Sequence, residues 1–125
     1  MLDIINTDKA PEAIGPYSQA VKAGSLLFVS GQIPFDPVEK KLVSGPVEEQ
    51  AEQVLKNLAA VVSAGGSDMS RVIKTTVYLT NMNDFPAVNA IYEKHFGDHR
   101  PARACVAVKT LPKNVDVEID AVCEV

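Results

Sequence analysis

The spacing of hydrophobic positions changes several times along this chain, and each change predicts an element. Leu2 to Asn6 suggests a short first strand. Tyr17 to Ala23 and Leu26 to Ser30 read as two strands joined by Gly24-Ser25, a two-residue hairpin signal with glycine leading. From Gly31 to Pro46, prolines at 34, 37 and 46 and several turn formers predict loop with one extended piece. Val47, Ala51, Val54, Leu55, Leu58, Val61 and Val62 then recur at helical spacing and form one apolar stripe. Pro46 suits the start of that helix, with Ser44 or Gly45 as its cap. Glu48 and Glu49 fall in the first turn, where the helix dipole favours negative charge. Gly65-Gly66 ends it in the manner of a left-handed C-cap. No strand-Gly-x-Gly-x-x-Gly-helix pattern surrounds this glycine pair, so it reads as a helix stop and not as a phosphate loop.

Arg71 to Leu79, rich in Val, Ile, Thr and Tyr, predicts a further strand. Asn83 or Asp84 caps a second helix with Val88, Ile91, Tyr92, His95 and Phe96 as its buried side, and Gly97 stops it. Ala102 to Val108 and Val115 to Val122 are the last strands, joined through Thr110 to Asn114. The order of elements predicts one α+β domain over residues 1–125, with two helices on one face of a mixed β-sheet. Leu26 to Val29 and Ala104 to Val108 are apolar at consecutive positions, which implies burial on both faces. Two helices cover only one, so a second copy of the chain is the expected cover and a homo-oligomer the expected state.

Composition narrows the function. At 125 residues the chain can bury roughly two thirds of its unfolded surface without a metal or disulfide staple. The net charge of −4, scattered Lys and Arg, and the lack of Trp disfavour a surface that tracks nucleic acid. The opening residues lack the basic segment and apolar core of a secretory signal, and the apolar window from Ala23 to Phe35 is too short to span a bilayer. A cytoplasmic protein with Cys105 and Cys123 as free thiols is expected.

The chemistry centres on Pro101-Ala-Arg-Ala-Cys105. Strand alternation puts Arg103 and Cys105 on the same face, and the arginine fork matches the two oxygens of a carboxylate. Small neighbours, Ala102 and Ala104, leave room around it. Glu118 shares a face with Asp116 and Asp120; it is either part of an acidic solvent face or, if near Arg103, an ionised carboxylate able to deprotonate water. Which holds depends on strand register, since a tight hairpin of the last two strands could put Arg103 and Glu118 on opposite faces. Cys105 lacks an activating base nearby in sequence and reads as a wall residue. Ser30 and Gly31 offer a hydroxyl and a close backbone approach to a ligand. Tyr17 and Phe85 are either pocket walls or packing residues. His95 and His99 stand four apart, but Gly97 between them disfavours a metal site.

Ile14-Gly-Pro-Tyr-Ser-Gln-Ala20, Phe28-Val-Ser-Gly-Gln-Ile-Pro34, Pro101-Ala-Arg-Ala-Cys105 and Val117-Glu-Ile119 resemble the RidA family, also called YjgF/YER057c or L-PSP, across essentially the whole chain. The resemblance implies a chorismate-mutase-like α+β fold and a homotrimer with clefts between subunits. It also implies hydrolysis of reactive 2-imino acids to 2-keto acids and ammonia. On that pattern Arg103 holds the substrate carboxylate, Glu118 handles the attacking water, and Tyr17, Ser30, Gly31, Phe85 and Cys105 line the cleft; Asn89 is read as structural. An iminium carbon is already electrophilic, so neither metal nor cofactor is expected. Relatives of this kind are also described as ribonucleases or translation inhibitors, and a non-catalytic sensor or chaperone of 2-keto acids could use the same cleft.

Overall fold

The computed structural model describes residues 1–125. Its main sheet contains β1 (Leu2–Ile5), β2 (Ala20–Ala23), β3 (Leu26–Gln32), β6 (Val72–Leu79), β7 (Ala102–Ala107) and β8 (Val117–Glu124), in the order β1-β2-β3-β8-β6-β7. All neighbours are antiparallel except β6 and β7, which run parallel. Parallel strands need a crossover, and α2 (Phe85–Phe96) supplies it. The expected loop after Gly31 holds a small hairpin, β4 (Phe35–Asp36) with β5 (Lys41–Leu42).

Helix α1 (Val47–Ala64) buries the predicted stripe completely at Ala51, Val54, Leu55, Leu58, Val61 and Val62. Two polar residues join it inside. Gln50 donates to the Gly45 carbonyl and to Asp116, and Asn57 donates to the Ile33 and Phe35 carbonyls, so neither is buried unpaired. The helix starts one residue after Pro46, which caps it without a side-chain hydrogen bond. The two terminal glycines serve different ends. Gly66 takes the left-handed conformation, φ 86°, while a Cβ on Gly65 would overlap Leu27 of β3.

Both helices pack on one face. Val117, Ile119, Ala121 and Cys123 of β8 point into that core, while Glu118, Asp120 and Val122 point to the other face. On this open face Ile4, Val21, Phe28 and Val122 align across four strands. Ile4 and Phe28 are 56% and 47% exposed, an apolar row of the sort the sequence assigns to a partner chain.

Several expected bounds shift. Strand β2 begins at Ala20 because Gln19 turns inward: it accepts from the Thr7 amide and donates to the carbonyls of Thr7 and Pro11, pinning the N-terminal loop. Strand β8 runs from 117 to 124, two residues later than the apolar pattern suggests, since Asp116 is held by Gln50 and Thr80 before the ladder begins. The last two strands do not pair with each other; β6 lies between them. No helix is long and apolar enough to cross a membrane.

Candidate functional site

Arg103 and Cys105 share a face of β7, as alternation requires: they align with Thr75 and Val77 of β6, both of which point toward the helices. At this sheet edge Arg103 meets α2. Its Nη1 donates to Asn89 Oδ1 at 2.7 Å. Its guanidinium carbon lies 5.3 Å from the Phe85 ring centroid and 4.8 Å from that of Tyr92. Phe85, Asn89 and Tyr92 are spaced by four and three residues, which brings all three to one side of the helix. Arg103 remains exposed and enters no salt bridge of the chain. Its remaining N–H groups suit an incoming carboxylate.

Asn89, expected to be structural, is therefore a direct partner of Arg103. The helical spacing 85, 89, 92 carried that signal, but only the β6-α2-β7 crossover aims it at the arginine. Cys105 packs half-buried against the core, and burial pushes its thiol up, with Arg103 partly offsetting the rise. That suits a wall residue better than a nucleophile.

Glu118 lies elsewhere. It aligns with Tyr78, three residues along β6 from the partner of Arg103, and therefore stands on the opposite face of the sheet. Of the two alternatives that the sequence leaves open, the one in which Arg103 lies beside this carboxylate does not hold within one chain. Burial raises the Glu118 carboxyl above its ordinary value, and the neighbouring Asp120 raises it further. Asp120 itself accepts from the Tyr78 hydroxyl at 3.0 Å.

Of the other predicted residues, Gly31 touches Glu118, while Ser30 precedes Gly31 and is tied through Ser18 to the segment that holds Tyr17. Gly31 abuts the Glu118 carboxylate so closely that a Cβ there would overlap Oε2. Between Val29 and Gln32 the β3–β8 register slips, which places this irregular stretch of β3 beside Glu118. The Ser30 hydroxyl donates to the Ser18 carbonyl at 2.6 Å, so it retains only acceptor capacity for a ligand. Tyr17, adjoining Ser18, is 54% exposed. The predicted residues thus fall into two groups. Arg103, Cys105 and Phe85, joined by Asn89 and Tyr92, lie at the helix-side edge; Glu118, Gly31, Ser30 and Tyr17 belong to the other.

His95 and His99 engage different partners. His95 Nε2 is 2.6 Å from Glu52 of α1, and His99 Nε2 donates to the Val72 carbonyl at 2.7 Å.

An antiparallel sheet with one parallel edge, backed by two helices and carrying an arginine clamped on that edge, defines an α+β domain of mixed topology. Residues 7–125 match the family model described as Endoribonuclease L-PSP. The chain is 53% identical over 122 residues to the RutC family protein y4sK of Sinorhizobium fredii, covering 98% of this chain and 97% of that protein. It is 50% identical over 119 residues to the human 2-iminobutanoate/2-iminopropanoate deaminase, covering 95% and 87% respectively. Among solved structures, E. coli TdcF with bound serine superposes at a TM-score of 0.94 with 43% identity, over 98% of each chain. The chain belongs to the L-PSP family, the RidA family that its motifs resemble.

Proposed function

We propose that this protein is an enamine/imine deaminase that hydrolyses 2-imino acids to 2-keto acids and ammonium, with 2-iminobutanoate and 2-iminopropanoate as substrates. The observation that carries the reading is Arg103: exposed, in contact with a neutral amide and two aromatic rings, and paired with no carboxylate of its own chain. The half-identical human protein bearing the deaminase name supports it.

In this reading Arg103 takes the substrate carboxylate through its remaining N–H groups. Glu118 accepts a proton from water as the oxygen bonds to the iminium carbon, and the C=N bond becomes a C–N single bond. The carbinolamine then collapses: Glu118 returns the proton to the nitrogen, the C–N bond breaks with its electrons on nitrogen as the oxygen forms the C=O bond, and the hydroxyl proton passes to the released ammonia, so that the keto acid and ammonium leave. Orientation of the carboxylate and of one water supplies much of the acceleration. Because Arg103 and Glu118 lie on opposite faces of one chain, a site using both needs two copies. One protomer contributes Arg103 with Cys105 and Phe85, its neighbour Glu118 with Gly31, Ser30 and Tyr17. The apolar row on the open face supports such an assembly; in this reading it is a homotrimer, as the family resemblance implies, working in the cytoplasm without a metal or cofactor.

The test couples the purified protein to a threonine dehydratase and follows trapping of the released imine by semicarbazide. Faster imine loss that depends on Arg103 supports the reading; no acceleration over buffer, or an Arg103→Ala variant as active as wild type, overturns it. Saturable 2-keto-acid binding without turnover would instead mark a sensor. The RNA cleavage in the family's description finds little support in a chain of net charge −4 with scattered Lys and Arg.

A further inference from the structure

Tyr92 takes no part in the reaction just described, yet the contacts around Arg103 converge on it. Its ring lies 4.8 Å from the guanidinium carbon, and its hydroxyl is 2.7 Å from Thr75 Oγ1. Thr75 is fully buried and is the residue aligned with Arg103 across the β6–β7 ladder. One strand thus fixes the tyrosine, the helix carries it, and the next strand rests its arginine against it. Asn89 and Phe85 complete the contact from the same side of α2.

We propose that Tyr92 is a positioning residue for Arg103. Its ring, pinned by Thr75, holds the guanidinium against α2, while the hydrogen bond to Asn89 sets the rotation of the fork within its plane. The physical reason is entropic as well as electrostatic. A free arginine at a sheet edge samples many rotamers and loses them when it grips a ligand. An arginine already stacked on an aromatic face has lost them on folding, and the ring's negative face favours the cation throughout. The inference rests on the reading of Arg103 as the carboxylate anchor.

Tyr92 also packs against Phe96, with ring centroids 4.5 Å apart, so a test must separate positioning from packing. The probe is 2-oxobutanoate, a stable carboxylate product, titrated calorimetrically into the full-length protein, alongside KM and kcat from the coupled assay. Tyr92→Leu is expected to weaken binding roughly tenfold, with KM rising to match and kcat changing less than about twofold. Tyr92→Phe, which keeps the ring, is expected to restore affinity to within about threefold of wild type. A merely structural tyrosine would lower Tm in both variants and leave the Kd of the folded protein unchanged. Unchanged Kd in Tyr92→Leu, where Arg103→Ala abolishes binding, overturns the positioning role alone. Unchanged binding in Arg103→Ala overturns the anchor reading and this inference with it. Should Tyr92→Leu fail to fold, Thr75→Val decides, because it frees the ring at nearly constant volume. A loss of about threefold then supports the role, and an unchanged Kd overturns it.

Discussion

Arg103 and Glu118 stand on opposite faces of the sheet, with β6 between their strands: Thr75 aligns with the arginine and Tyr78 with the glutamate. Three residues along a strand reverse the side-chain direction, so no rotamer change brings the two groups to the same side of one chain. A deaminase that needs both must assemble its site from two protomers.

Complementation tests this arrangement directly. Arg103→Ala and Glu118→Gln are each expected to lower kcat/KM by roughly a hundredfold or more. Unfolded together and refolded as an equal mixture, they should recover roughly a quarter of wild-type activity, since one interface in four of a cyclic assembly pairs an intact arginine with an intact glutamate. No recovery in assemblies confirmed to be mixed by mass spectrometry would mean that the groups act within one chain.

Gly31 is expected to control Glu118 without supporting the fold. A Cβ at this position meets the flexible end of the glutamate, which can swing away. Gly31→Ala should therefore keep Tm within a few degrees while lowering kcat roughly a hundredfold by moving the carboxylate. Thermal melts and coupled kinetics on the same preparation check this; a large Tm loss would place the glycine in the scaffold instead.

The pH dependence follows from the burial of Glu118. Its carboxyl binds a proton more tightly in the folded state than in the unfolded chain, so its contribution favours folding below the folded pKa and is lost as pH rises through it. A general base must be ionised, so kcat/KM should fall on the acid side as Glu118 takes up a proton. Asp120→Asn, which removes the second cause of the rise, should shift this acid limb downward in pH. An unmoved limb would assign it to another group.

The two thiols are expected to differ sharply. Cys123 is fully buried in the core, and burial pushes its thiol up to about 11, so iodoacetamide at pH 8 should leave it unmodified until the protein unfolds. Cys105 is half-buried beside Arg103 and should react slowly, with saturating 2-oxobutanoate slowing it further. Peptide mapping after timed alkylation measures both rates. Equal protection of the two cysteines with and without ligand would remove Cys105 from the cleft wall.

The core is expected to depend on the α1 stripe. Leu55→Ala or Leu58→Ala deletes a fully buried side chain and should cost about 2–5 kcal/mol, read as a lower urea midpoint. A loss below about 1 kcal/mol would show that the site collapses around the smaller residue.

Local physics made much of this molecule legible from the chain alone. The stripe from Val47 to Val62 became the buried side of α1, Gly24-Ser25 turned the β2–β3 hairpin, and Gly97 ended α2. Arg103 and Cys105 share a face because alternation within a strand is a property of the backbone. Each of these signals lies within a few residues of what it governs. The insertion of β8 between β3 and β6 does not, because it depends on how α1 and α2 cover a common face. That insertion separates β7 from β8, turns Glu118 away from Arg103, and lifts the glutamate's pKa by burial where proximity to the arginine would have lowered it. The same packing brings Asn89 and Tyr92 onto Arg103 from across the β6-α2-β7 crossover. Residue identities and periodicity thus determined which side chains are available for chemistry. Only long-range packing, which pairs strands far apart in sequence, decided which of them meet.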